Sequence, residues 1–121
     1  MEVSVIIPNF NGIAFLDSVL GSLEGQTLKN FEVILVDNGS ADGSCSFVSA
    51  NYPWEHIIEL PDNFGFCRAV NEGIKAAKAP YVLLLNNDTE VKEDFVEQML
   101  LAIRRHKNAF SCAARMVQYH D

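Results

Sequence analysis

Residues 31–37 read FEVILVD, an apolar core from Val33 to Val36 that ends in an acid and then in the turn pair Asn38-Gly39. A strand with one wet face alternates apolar and polar residues, whereas a continuous β-branched run closed by turn formers marks a strand covered on both faces, as in a parallel sheet. Three further runs share this form. EVSVIIP (2–8) stops at Pro8, HIIEL (56–60) stops before Pro61, and YVLLL (81–85) runs into Asn86. Between them the period lengthens to that of a helix. Leu16, Val19, Leu20 and Leu23 form one stripe; Phe66, Ala69, Val70, Gly73, Ile74 and Ala77 form a second; Phe95, Val96, Met99, Leu100 and Ile103 form a third. Residues 42–51 leave room for another helix, and AFSCAARMVQY (109–119) is a candidate fifth strand. The order β-α-β-α-β-α-β-α implies right-handed crossovers and a three-layer α/β/α domain with a mostly parallel sheet. Residues 1–121 read as one domain, without an internal repeat, low-complexity tract or linker.

Composition narrows the function. The chain is 49% hydrophobic and 21% charged, in the range of a globular domain. Its net charge of -7, with nine Lys plus Arg, argues against nucleic acid or an anionic membrane surface as partner, because both demand clustered positive charge. Cys45, Cys67 and Cys112 are odd in number and lack CxxC spacing, which indicates neither a disulfide framework nor a zinc site. They read as small buried hydrophobes in a reducing cytosol. MEVSVIIPNF lacks the basic start of a signal peptide, and no apolar run approaches the ~20 residues of a spanning helix.

Polar clusters follow every strand. Pro8-Asn9-Phe10-Asn11-Gly12, Asp37-Asn38-Gly39-Ser40, Asp62-Asn63-Phe64-Gly65 and Asn86-Asn87-Asp88 all lie at carboxyl ends, the edge where open α/β sheets bind ligands beside helix N-termini. Any one cluster alone reads as a turn or a helix cap. Turn geometry does not, however, require an amide or carboxylate at all four.

Several chemistries are excluded. Neither GxGxxG nor GxxxxGK[ST] occurs, so a dinucleotide-binding turn and a P-loop are both absent. The acidic stretch DNGSADGS resembles a calcium loop, but counting from Asn38 puts Ser49 where the bidentate Glu belongs. What remains is a sheet edge with an acid after the second strand and Asn-Asn-Asp after the fourth. A hard cation shared between Asp88 and nucleotide phosphates would suit it, stabilising charge that develops on a leaving diphosphate.

These residues resemble the family 2 glycosyltransferases of GT-A fold, particularly a bacterial rhamnosyltransferase-like branch. The resemblance rests on VSVIIPNFNG, FEVILVDNGSADGS, Asn63-x-Gly65 followed by Ala69-x-Asn71-x-Gly73-Ile74, and YVLLLNNDTEV, in that order over nearly the whole chain. It implies the Rossmann-like, nucleotide-sugar-binding half of an inverting, metal-dependent hexosyltransferase. By position, Pro8, Asn9 and Phe10 would line the nucleoside pocket and Asp37 would hydrogen-bond the base. Asn86 and Asn87 would meet the ribose and Asp88 would hold Mg2+ or Mn2+, the three standing where the family has DXD. Gly65 would let the chain approach the donor, and Arg68 would reach a phosphate or serve as a solvated helix cation. The NND variant leaves one carboxylate in that motif. The family's general base lies beyond its DXD region, so it is expected past residue 121.

The implied partners are a nucleotide-diphosphate sugar and a glycan, lipid-linked or protein acceptor, with self-association through an uncovered sheet edge. The implied location is the cytoplasm or the inner face of the membrane. A non-catalytic nucleotide-binding or regulatory module is the alternative. A nucleotidyltransferase fits less well, because PNFNG supplies no basic residue to a phosphate loop. Trp54 is expected to pack rather than stack on sugar, and His56, His106 and His120 are too scattered to share a metal.

Overall fold

The computed structural model describes residues 1–106. Its elements are β1 (Val3–Asn9), α1 (Ile13–Glu24), β2 (Phe31–Asp37), α2 (Ser44–Asn51), β3 (His56–Glu59), α3 (Phe66–Ala76), β4 (Tyr81–Leu84) and α4 (Phe95–Arg105). The candidate strand at 109–119 lies outside the described residues, as do Cys112 and His120. The four strands pair in parallel in the order β3-β2-β1-β4. β1 and β2 are in register along their full length, from Val3 opposite Phe31 to Asn9 opposite Asp37. Their polar ends therefore finish side by side.

Handedness assigns the helices to faces. Stepping from β1 to β2 to β3 moves one way across the sheet, so right-handed crossovers put α1 and α2 on one face; the step back from β3 to β4 puts α3 on the other. The packing follows. Val5, Ile7, Val33 and Leu35 bury against Leu16, Val19 and Leu20 of α1 and Val48 of α2, with Val96 and Leu100 of α4 joining them. Ile6, Ile34 and Val36 point the other way and pack with Ala69 of α3. Each such fully buried side chain contributes about 1.5–3 kcal/mol over exposure. Gly73 lets α3 lie close on β1, since a Cβ there would sit 2.5 Å from Ile6 Cγ2.

The expectation that every strand is covered on both faces fails at β4. Val82 and Leu84 are 41% and 47% exposed, because α3 packs on β1 and β2 and stops short of β4, the edge strand among the described residues. Two of the helical-stripe residues, Phe66 and Ile74, are likewise exposed. Cys67 is exposed rather than buried, and Cys45 is partly buried, its thiol pushed up to about 12 by burial and by the nearby charge of Asp37. No helix among the described residues is long and apolar enough to cross a membrane.

α4 also departs from the expected layout, since its N-terminus lies away from the ligand edge. Asp94, at its N-cap, makes no side-chain cap bond. The buried Gln26, just past α1, supplies one from a distance: its Oε1 accepts from Val96 N–H at 2.9 Å, while its Nε2 donates to Lys92 O at 2.7 Å and Ser22 O at 3.0 Å. Gln26→Leu keeps the volume but strands these groups, so it should lower unfolding free energy by about 2–3 kcal/mol. Urea denaturation checks this, and a loss under about 1 kcal/mol contradicts the capping role.

At the edge opposite the polar clusters, Tyr52 is buried and the exposed Trp54 stands edge-on to it, ring centroids 6.0 Å apart. Trp54 Nε1–H donates to Glu24. Burial first, then the hydrogen bond and charge of Glu24, push the neighbouring Glu55 carboxyl up from 4.5 to about 8. A carboxyl raised on folding contributes stability that is full below its unfolded value and is lost as pH rises through the folded one. The denaturation midpoint should therefore fall between pH 4.5 and about 8, and Glu55→Gln should flatten that slope. Trp54 is the chain's single tryptophan, so its fluorescence reports both the transition and its local surroundings.

Candidate functional site

Parallel strands deliver their carboxyl ends to one edge, and there the structure holds a cavity of about 350 Å3 lined by Pro8, Asn9, Phe10, Asn38, Asn63, Phe66, Asn86, Asn87 and Asp88. Strand order spaces the lining. Asn63 follows β3, Asn38 follows β2, Pro8–Phe10 end β1, and Asn86–Asp88 follow β4. The cavity spans the place where the strand sequence reverses direction, between β1 and β4.

A hydrogen-bonded chain ties these loops together. Asn87 Nδ2 donates to Asn9 Oδ1 at 2.7 Å, and Asn9 Nδ2 donates to Asp37 Oδ1 at 2.9 Å. Asp37 also accepts from Ser40 Oγ at 2.7 Å and from Ser40 N–H at 2.9 Å. Ser40 Oγ in turn accepts from Asn11 N–H, and Asn11 Oδ1 accepts from Ala41 N–H. Gly12 sits against this chain, where a Cβ would overlap both Asn87 Nδ2 and Asn9 Oδ1. Its φ of -104° is open to any residue, so the requirement for glycine is one of space.

A second set of bonds holds the wall after β3. Asn38 Nδ2 donates to Gly65 O at 3.1 Å, Phe64 N–H donates to Asn38 Oδ1 at 3.3 Å, and Gly65 N–H donates to Asn63 Oδ1 at 2.9 Å. Gly65 has φ of 91°, a conformation that side chains resist, and a Cβ there would meet nothing within 4 Å. Asp42 joins the other two helix starts, its carboxylate accepting from Ile13 N–H of α1 and Ser44 N–H of α2. Against the opposing effect of burial, hydrogen bonds from Ser44 and Ile13 hold its carboxyl below the usual range.

The structure thus brings Pro8, Asn9, Phe10, Asn86, Asn87 and Asp88 into one cavity. Asp37 stands behind it, 3% exposed, with its oxygens turned to Asn9 and Ser40. Arg68 is outside the lining; its guanidinium lies 5.0 Å above the Phe64 ring and 3.2 Å from Glu72. Asn38 and Asn63, members of the polar clusters at this edge without an individual role from sequence, line the cavity too, as does Phe66, which sequence places only on a helical stripe. Strand parity could have found Asn38: Asp37 shares a face with Val33 and Leu35 beneath α1, so the next residue is the one released to the edge.

Asp88 is exposed and makes no hydrogen bond or ion pair among the described residues, and no three His, Cys, Asp or Glu cluster there as a metal cage. One free carboxylate beside amide groups fits Mg2+ or Mn2+, which take few protein ligands and complete their shell with phosphate and water oxygens.

Known proteins share this fold. Residues 4–121 match the model of Glycosyl transferase family 2. Glycosyltransferase GlyG of Streptococcus pneumoniae is 31% identical over 100 residues, covering 80% of this chain and 33% of GlyG. S. aureus TarS in complex with UDP-GlcNAc superposes with TM-score 0.80 at 22% identity, covering all of this chain and 39% of that one. The mannosyltransferase PcManGT of Pyrobaculum calidifontis, in complex with GDP-Man and Mn2+, has TM-score 0.68 at 25% identity over 74% of this chain and 28% of its own. The chain spans less than half the length of curated relatives such as GlyG. With its α/β GT-A-like sheet and a family match that runs from β1 past α4, the chain belongs to Glycosyl transferase family 2.

Proposed function

We propose that this chain binds the nucleotide-diphosphate sugar of an inverting, metal-dependent hexosyltransferase. The observation that carries the reading is the Asp88 carboxylate, unpaired among the described residues, in a cavity that Phe10 and Phe66 also line. Aromatic rings suit a nucleobase and a lone carboxylate suits a cation on a diphosphate, so the base lies beside Phe10 and Phe66 and the diphosphate beside Asp88. Pro8, Asn9 and Phe10 shape the nucleoside pocket; Asp37, which the family resemblance puts on the base, is instead buried with its oxygens on Asn9 and Ser40 and serves the pocket by fixing Asn9. Asn86 and the unengaged Oδ1 of Asn87 meet the ribose hydroxyls. Gly65 leaves room beside α3, and Arg68 swings from Glu72 toward a phosphate.

A cation held by Asp88 would neutralise charge on the departing diphosphate. The acceptor hydroxyl attacks the anomeric carbon from the face opposite the leaving group, the bond to the phosphate oxygen breaks, and the hydroxyl proton passes to a general base. That base belongs to the portion of the longer relatives that this chain does not span. The acceptor is a glycan, lipid-linked glycan or protein, taken at the cytoplasmic side of a membrane. The exposed Val82 and Leu84 favour self-association through β4 when nothing else covers them.

Calorimetric titration with UDP, GDP and dTDP, each with and without Mn2+, tests the reading. Metal-dependent binding of one nucleotide is the expected result. Failure of all three to bind the folded chain contradicts it.

A further inference from the structure

Asn87 stands in the middle of Asn86-Asn87-Asp88, and an added carboxylate there would by charge alone strengthen a cation site. The hydrogen-bond directions oppose that expectation. Asp37 is an acceptor, so the Asn9 amide must turn its Nδ2 to Asp37, and this leaves Oδ1 facing Asn87. Asn87 can satisfy that oxygen only with a donor. Its Nδ2 does so at 2.7 Å, in a space that Gly12 keeps open.

We infer that Asn87 is a positioning residue: its amide donates into the Asn9–Asp37 chain and thereby fixes the loop that presents Asp88 to the cavity. The polarity of the chain runs one way, from Asn87 through Asn9 to the buried acid. An aspartate in place of Asn87 would set an anionic acceptor against Asn9 Oδ1, and Asn9 could not flip without setting its own oxygen against Asp37. The ligand consequence, tighter or weaker holding of a cation and diphosphate by Asp88, rests on the donor-site reading above; the positioning itself does not.

The test compares Asn87→Ala, Asn87→Asp and Gly12→Ala with the unaltered chain by two measurements. In NMR spectra of the free chain, the Asn9 side-chain amide should be a shifted, slowly exchanging pair that all three substitutions return toward ordinary exchange. In titrations with Mn2+ and nucleotide, Asn87→Ala should weaken binding about 10-fold or more, the scale of a lost orienting partner, and Asn87→Asp should weaken it at least as much despite the added charge. Tighter binding by Asn87→Asp than by the unaltered chain, or an Asn9 amide signal unmoved by Asn87→Ala, overturns the inference. If the unaltered chain binds no nucleotide, the donor-site reading falls, while the Asn9 signal still decides whether Asn87 positions the loop. Gly12→Ala keeps the test open should an Asn87 variant fold poorly, because it displaces the same pair from the other side.

Discussion

Replacing Asp88 with alanine should lower the affinity of the chain for its nucleotide in the presence of Mn2+ on the order of 100-fold or more, while leaving metal-free binding nearly unchanged. Loss of a mere orienting partner costs 10–100-fold at metal sites, and Asp88 is the single carboxylate in the cavity lining. The neighbouring Asn86 and Asn87 offer neutral amide oxygens, and Asn87 is already committed through Nδ2, so neither can restore the charge. Folding should be unaffected, because Asp88 is exposed and holds no partner among the described residues. Calorimetry with and without metal separates the two effects. An equal loss in both series would mean that Asp88 touches the nucleotide directly and not through a cation.

Asp37→Ala should give the largest loss of stability. The buried carboxylate accepts from Asn9 Nδ2, Ser40 Oγ and Ser40 N–H; without it both Ser40 donors lose their acceptor and Asn9 Nδ2 keeps only a 3.4 Å contact to Ser40 Oγ. Hydrogen bonds to a charged group contribute about 1.5–3 kcal/mol each and are not additive, so a loss of roughly 3–5 kcal/mol is expected. Against a typical total of about 5–15 kcal/mol this would lower the melting temperature by ~15 °C. Asp37→Asn should fall between the two proteins, since its amide keeps the shape but turns a donor toward one of the Ser40 donors. Thermal unfolding followed at Trp54 measures both, and a shift of only a few degrees for Asp37→Ala would contradict the anchoring role.

Burial on both faces is what a strand's sequence displays most openly. FEVILVD and VSVIIPN gave their strands away because β1 and β2 are the central pair and bury both faces. YVLLL looks the same in sequence, yet among the described residues β4 is the edge strand with Val82 and Leu84 exposed, and no local pattern distinguishes an apolar side chain that meets α3 from one that α3 fails to reach. Phe66 opens a helical stripe in sequence, yet it begins α3 at the ligand edge, beyond the end of the sheet, where the described residues leave it exposed. The grouping of the polar clusters followed from topology alone, since parallel strands must end together.

The order of the hydrogen bonds did not follow. Strand parity in FEVILVD separates Asp37 from Asn38, but that Asp37 meets Asn9 depends on the β1–β2 register and that Asn87 meets Asn9 depends on the β1–β4 pairing. Gln26 was invisible for a similar reason. Its partners Lys92 and Val96 lie 66 and 70 residues away in sequence, in a helix start that its own sequence does not cap.

The most direct test of the central claim is paramagnetic broadening of amide NMR signals by Mn2+ added with nucleotide. The Asn87 and Asp88 signals should be lost first, then that of Asn9, with the signals around Trp54 at the opposite edge retained. Broadening centred elsewhere, or none at nucleotide saturation, would contradict the placement of the donor at the carboxyl ends of β1 and β4.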